Sequence, residues 1–350
     1  MNTRVLIVDD SATMRAILSR LLGSQPDIEV IGVAASAMEA RGMIREMNPD
    51  VVTLDIEMPG MNGLDFLEKI MELRPMPVVI VSGITQRGCE TTIRALELGA
   101  VDCYAKPDGT VHSMLESDGG TLARMVRSAA RVQYGQRSRA PAVSEAVSRQ
   151  TIAVSSAGNV DTRLIAIGAS TGGVEALHHM LPAFPENCPP TVIVQHISAA
   201  FAPAMAARLD KQCVAKVQLL ESGALLHPGN IYIAPGNDKH ALVGGTADKP
   251  IAKLVPGDPV SGHRPSIDAM FDSVAQKIGP AAVGILLTGM GQDGARGLLA
   301  MRRAGADTIA QDEATCTVYG MPRAAADMGA AERILPLPRI AERALSAARL

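Results

Sequence analysis

The sequence predicts an α/β protein of two doubly wound parallel-sheet domains joined by a linker, the second domain carrying a β excursion. Three observations carry that expectation. Short, wholly apolar runs recur along the chain and alternate with segments whose apolar residues repeat at helical spacing, the pattern of buried strands crossed over by helices. That pattern stops between residues 129 and 161, where Ser, Ala, Arg and Gln replace any sustained apolar period. Finally, 350 residues, 47% of them hydrophobic, are long for one core and sufficient for two. The expected division is residues 1–125, a linker over 126–160, and residues 161–350.

In the first domain Arg4–Val8 reads as a buried strand that stops at Asp9 and Asp10, and Ser11 caps a helix through about Leu22. The alternation continues with strand Ile28–Ala34, helix Ala37–Met47, strand Val51–Leu54, helix Gly63–Leu73, strand Val78–Val81, helix Thr91–Leu98, strand Asp102–Ala105 and helix Gly120–Val132. Asp9, Asp10, Asp55, Ser82 and Lys106 each follow an apolar strand, so a parallel sheet gathers all five at one edge. Three crowded carboxylates repel, and a divalent ion with oxygen ligands, Mg²⁺, is the simple remedy. Asp55 is then placed to attack a phosphoryl donor, with Lys106 neutralising charge and Ser82 donating a hydrogen bond. This constellation, with the Lys106-Pro107 pair, resembles a response-regulator receiver domain, which implies a flavodoxin-like fold.

The arginines of the linker, Arg131, Arg137, Arg139 and Arg149, read as solvated charge. Beyond it, Leu164–Ala169 is a buried strand, Val174–Leu181 a helix, Thr191–Val194 a strand and Ala200–Asp210 a helix. Val217–Leu220, Asn230–Ala234, Ala241–Val243 and Ile251–Val255 are short β pieces separated by turn residues, and they form the expected excursion. Helix Pro265–Lys277, strand Ala282–Leu287, a helix ending at Arg303, strand Thr308–Gln311, and helices Tyr319–Met328 and Arg339–Ala348 complete the domain.

Three strand ends of this domain deliver Ser170, His196 and Asp293. Ser170 stands among glycines in Gly168-Ala-Ser-Thr-Gly-Gly173, between a strand and a helix, where free backbone N–H groups stabilise an anion. A serine hydroxyl is a weak nucleophile until a base takes its proton and a third group orients that base, and His196 and Asp293 are of the types needed. Taken alone, the glycine turn could equally cradle a nucleotide phosphate, and His196 could be a satisfied core histidine. His240 reads as structural.

Taken together, Gly168–Gly173, Gln195-His196, Ser261-Gly-His-Arg-Pro-Ser266, Thr288–Gly294 and the stretch from Gln311 to Pro322 resemble the motifs of the chemotaxis response-regulator protein-glutamate methylesterases, the CheB family. Gln292 stands where asparagine is usual, and Gly83 where a second serine is common. The resemblance implies a hydrolase that is activated by phosphorylation of Asp55 and removes methyl esters from glutamates of chemoreceptors, releasing methanol, with deamidation of receptor glutamines beside it. It implies Ser170 as nucleophile, His196 as base and Asp293 as its orienter, with the backbone N–H groups of Thr171 and Met290 on the oxyanion. It adds His263 and Arg264 as a substrate rim, Mg²⁺ in the receiver, and no cofactor in the hydrolase site. The implied partners are a chemotaxis sensor histidine kinase and methylated chemoreceptors, with contact to the membrane only through those receptors.

Composition excludes other classes. A net charge of −3, 2% aromatic residues and no Trp argue against nucleic acid as a partner. No compact helix-turn-helix pair or basic face supports a transcriptional output. The glycine turn lacks the G-x-G-x-x-G spacing of a dinucleotide site. Five scattered cysteines without a Cys-x-x-Cys pair read as free thiols of a reducing compartment, and the amino terminus has no signal-like apolar core, so a cytoplasmic protein is expected.

Overall fold

The computed structural model describes residues 2–58, 62–106, 115, 118–132 and 164–347. In the first domain β1 (Thr3–Val8), β2 (Ile28–Ala34), β3 (Val51–Asp55), β4 (Val78–Ser82) and β5 (Asp102–Ala105) form a parallel sheet in the order β2-β1-β3-β4-β5. The centre of the sheet is made of β-branched and Leu side chains buried on both faces, so the strands read as continuous apolar runs. Helices α1 (Ala12–Gly23), α2 (Ala37–Met47), α3 (Gly63–Leu73), α4 (Gln86–Glu97) and α5 (Thr121–Ala129) cover it. Ser11, Ser36, Asn62 and Thr85 each cap the helix that follows by accepting from the N–H three residues on.

Helix α4 starts five residues earlier than the expected Thr91, because Thr85 accepts from Gly88 N–H at 2.9 Å and its first turn is polar, without an apolar period to announce it. Helix α5 buries Leu122, Ala123, Val126 and Ala129 and so runs through residue 125, where the first domain was expected to end. Of the expected linker over 126–160, residues 133–160 lie outside the described residues.

The second domain is built on a seven-stranded parallel sheet in the order β14-β13-β12-β6-β7-β9-β8. Its strands are β6 (Leu164–Ala169), β7 (Thr191–Gln195), β8 (Lys216–Leu219), β9 (Asn230–Ile233), β12 (Ala282–Leu286), β13 (Asp307–Gln311) and β14 (Arg333–Leu335). Only β10 (Lys239–Gly245) and β11 (Pro250–Pro256) stand apart, as an antiparallel hairpin. The β excursion is therefore smaller than its four pieces suggest. Two of them, β8 and β9, extend the parallel sheet, and short strands separated by turn residues carry no local mark of that pairing. Strand β14 was not expected, being three residues long, at the edge and largely exposed. The helices are α6 (Gly173–Met180), α7 (Ala202–Gln212), α8 (Ile267–Lys277), α9 (Ala295–Arg303), α10 (Met321–Asp327) and α11 (Leu337–Ala347).

The two domains meet through apolar surface. Helix α4 packs on α6 and α7, and one buried cluster runs from Ile93 and Leu96 into Leu177 and Met205. On the far side of the first domain's sheet Met290 and Val318 join the cluster of Leu122 and Val126.

Candidate functional site

Ser170 follows β6 and its backbone N–H donates to Thr288 O at 3.0 Å, which ties the turn to the end of β12. The glycines beyond it are required by space. Gly172 has φ +76°, and a Cβ there would stand 2.3 Å from Thr317 Cβ; a Cβ on Gly173 would stand 2.1 Å from Gln195 Oε1. Gln195, buried at the end of β7, donates through Nε2 to Ser170 O at 2.8 Å and to His196 O at 3.1 Å. One amide thereby holds the backbones of both residues, a link that the sequence motif contains but does not explain.

His196 Nε2 lies 2.9 Å from Asp293 Oδ2. Its other ring nitrogen, Nδ1, is buried and has no hydrogen-bond partner among the described residues, and the ring lines one cavity with Ser170 and Gln195. Asp293 accepts further bonds from Ser266 Oγ at 2.8 Å, Ile267 N–H at 2.8 Å and Asp268 N–H at 3.0 Å. These come from the amino terminus of α8, where the helix dipole also favours an anion. Burial alone would raise the Asp293 carboxyl, but the bond and charge of His196 and the two backbone N–H groups outweigh it and hold the group below its ordinary value. The imidazole is thus oriented by a carboxylate that is itself fixed.

The backbone N–H groups of Thr171 and Met290 donate to no acceptor among the described residues. His263 lies close to the expected site: its ring stacks on His196 with centroids 3.8 Å apart and planes at 19°. Its Nδ1 faces Ser261 O at 3.0 Å, and burial, then the charges of His196 and Arg124, push its pKa down to about 4. Arg264 is exposed and donates to Gly257 O at 2.8 Å, which steadies the same loop. His240 is buried and structural, Nε2 facing Asp258 O at 2.9 Å and Nδ1 accepting from Ser266 N–H at 3.2 Å.

The first domain closes over this crevice. Asp102 Oδ2, at the start of β5, accepts from Thr171 Oγ1 at 3.1 Å, and Val101 O accepts from Gly172 N–H at 3.3 Å. Asp102 lines the same cavity as Ser170 and His196, and burial pushes its pKa up to about 6 against the pull of Cys103 N–H, Thr171 and His196. Nothing local in the sequence marks Asp102 as part of the crevice, because it arrives there through domain packing. Glu97, at the end of α4, receives Arg208 Nε and Nη2 at 2.9 Å each and has His178 Nε2 within 3.0 Å.

At the carboxyl edge of the first domain's sheet carboxylate oxygens of Asp9, Asp10 and Asp55 lie within 4.8 Å of one another, the first and third residues buried and the second exposed. Lys106 Nζ stands 2.9 Å from Asp9 and 2.8 Å from Asp55. Burial pushes the Asp9 carboxyl up despite Lys106, with Asp55 adding to the rise, whereas the two carboxylates raise Lys106 against its own burial. Ser82 is buried beside them, its Oγ near Gly83 O and Gly88 O at 3.4 and 3.5 Å. Such an oxygen-only cluster, open on the Asp10 side, fits a hard divalent cation.

Comparison with known proteins places both halves of the chain. The family described as CheB methylesterase matches residues 165–344, and the response regulator receiver domain family matches residues 5–116. A protein-glutamate methylesterase/protein-glutamine glutaminase of Caulobacter vibrioides is 54% identical over 348 residues, 99% of this chain and 98% of that protein. One of Rhizobium etli is 53% identical over 342 residues, 98% of this chain and 95% of its own. Among solved structures, the CheB methylesterase catalytic domain of Thermotoga maritima aligns with a TM-score of 0.52 and 34% identity, covering 53% of this chain and 99% of that one.

Proposed function

This chain belongs to the protein-glutamate methylesterase/protein-glutamine glutaminase family, and from that membership we propose that it removes methyl esters from glutamate side chains of chemoreceptors, and deamidates receptor glutamines, under control of receiver phosphorylation. The observation that carries the hydrolase reading is that Ser170 and His196 line one cavity and that the His196 ring is held by a fully bonded Asp293. Ser170 Oγ attacks the ester carbonyl while His196 Nδ1, the ring nitrogen left without a partner, takes its proton. Asp293 keeps the proton of Nε2 in place and stabilises the imidazolium. The N–H groups of Thr171 and Met290 hold the oxyanion, and His196 then returns its proton to the departing methoxide, releasing methanol and leaving an acyl-serine. Water, activated by His196, releases the glutamate. With an amide substrate the leaving group is ammonia.

In the receiver, Asp55 is the phosphoryl acceptor and a sensor histidine kinase of the chemotaxis system its donor. Asp9, Asp10 and Asp55 would hold Mg²⁺, which supplies charge neutralisation at the transferred phosphoryl group. Lys106, already bridging Asp9 and Asp55, is in reach of the new oxygens, and Ser82 donates to them once it leaves the carbonyls of Gly83 and Gly88. His263 serves as a wall stacked on the base and Arg264 as a brace for the rim loop. We place the enzyme in the cytoplasm, meeting the membrane only through its receptors; among the described residues no helix is long and apolar enough to cross a membrane. The domain division we propose is that of the sequence, with the receiver continued to the end of α5 at Ala129.

Control follows from the cover. The resting receiver occupies the crevice through Val101 and Asp102 and is held by Glu97, so it inhibits until phosphorylation rearranges the receiver surface. The test is methanol release from a peptide carrying a γ-methyl glutamate ester. Residues 164–350, matching a solved catalytic domain over its length, are expected to outpace the resting full chain, and Ser170→Ala to release none. Equal rates for fragment and resting chain would refute the cover, and turnover by Ser170→Ala would refute the nucleophile.

A further inference from the structure

Asp268 stands at the second position of α8 and is 1% exposed. An acidic residue in a first helical turn ordinarily serves its own helix dipole. The bonds of this one go elsewhere. Its Oδ1 accepts from Gly294 N–H at 2.9 Å and from Gly297 N–H at 2.8 Å, the open donors that begin α9. Its Oδ2 accepts from Ser261 Oγ at 3.0 Å and from Arg296 Nε and Nη2, both at 3.3 Å. Asp293, the residue just before Gly294, accepts in turn from the donors that begin α8, including Asp268 N–H. Each of the two helices thus has its amino terminus closed by a carboxylate from the start of the other.

The exchange is fixed by close packing. A Cβ on Gly297 would stand 2.8 Å from Asp268 O and 2.6 Å from Phe271 Cβ, so α8 and α9 approach as nearly as a glycine allows. Through Oδ1 the Asp268 carboxylate grips the turn immediately after Asp293; through Ser261 it grips the loop that carries His263 onto the His196 ring. We infer that Asp268 is a positioning residue for the hydrolase, a carboxylate that touches no reacting atom but sets Asp293, and through it the His196 imidazole, in register with Ser170. The inference rests on the hydrolytic role proposed above.

The test is made in the full chain, with acetyl phosphate and Mg²⁺ present, on the γ-methyl glutamate ester peptide. A displaced orienting group costs roughly 10²-fold in turnover, so Asp268→Ala is expected to lower kcat by about that factor while KM stays within about twofold. Asp268→Asn, which keeps one oxygen for Gly294 and Gly297 N–H, is expected to recover part of the loss, and Arg296→Ala, at the exposed edge, to behave as the parent. Because Asp268 works through Asp293, neither Asp268 variant should lose more than about twofold further in an Asp293→Asn background. Parent-like kcat in a folded Asp268→Ala, or losses that multiply in the double variant, would overturn the role. Loss of the thermal transition in both Asp268 variants, with Ser170→Ala melting normally, would make Asp268 a folding residue and overturn it too. An inactive parent chain would instead remove the hydrolase reading itself, and Ser170→Ala separates those outcomes.

Discussion

At the carboxyl edge of the receiver sheet three carboxylates crowd together and one ammonium bridges two of them, Asp9 and Asp55; at the same edge of the hydrolase sheet one carboxylate collects a histidine, a serine hydroxyl and two backbone N–H groups. The first arrangement keeps uncompensated negative charge, with Asp9 raised and Asp10 open to water, and so invites a cation and a change of state. The second is saturated, its anion lowered and its geometry fixed from one helix terminus. One fold logic, residues gathered at parallel strand ends, yields a switch where charge is left over and a catalyst where it is spent on donors.

The largest effects should come from the saturated site. Ser170→Ala is expected to lose on the order of 10⁶-fold in turnover and Asp293→Asn roughly 10³- to 10⁴-fold, with KM little changed. Steady-state methanol release on folded protein decides it, and a mild Asp293→Asn would break the contrast, since a saturated anion would then be dispensable. Next comes the unsaturated site. Asp55→Asn is expected to accept no phosphoryl group from acetyl phosphate and to lose the whole activation, of about 5- to 150-fold if it matches ordinary couplings. Its basal hydrolysis should stay at the resting level, and Asp293→Asn should phosphorylate at the parent rate. Phosphate uptake by Asp55→Asn would move the acceptor elsewhere.

Much of this was legible because it sits at the ends of apolar strands. Asp9, Asp55, Ser82 and Lys106 lie where the βα alternation puts them, and so do Ser170 and His196. What escaped was set by pairing and packing. The places of β8 and β9 in the main sheet depend on partners distant in sequence, and β14 is too short and exposed to carry a period. Which ring nitrogen of His196 meets Asp293, here Nε2, is a matter of loop geometry that no residue type encodes. Asp268 looks like an ordinary first-turn acid, and Asp102 like the first residue of a strand, until the helix packing and the domain cover are in place.

The smallest expected effect sharpens the comparison most, because Asp102 carries receiver charge into the hydrolase crevice. Its pKa, about 6 when covered, returns toward the ordinary 3.8 if the receiver lifts and water reaches it. A raised carboxyl means that the closed form binds the proton more tightly. The Asp102 contribution to closure is therefore fully present below about pH 4, falls as pH rises through about 6, and settles above that as a penalty. His178 and His263, both lowered chiefly by burial, pull the other way, since acid would charge them on the open side. The comparison that isolates Asp102 is thus parent against Asp102→Asn, in which the histidine contributions cancel. Asparagine cannot ionise, yet its oxygen still accepts from Thr171, so Asp102→Asn is expected to close more tightly at pH 7.5 and to lower resting activity several-fold relative to the parent. That gap should shrink toward pH 5 as the parent's Asp102 takes up its proton, and the isolated fragment, lacking the residue, should show none of it. Higher resting activity in Asp102→Asn at pH 7.5 would mean that the carboxylate is a clasp and not a built-in weakness of the cover.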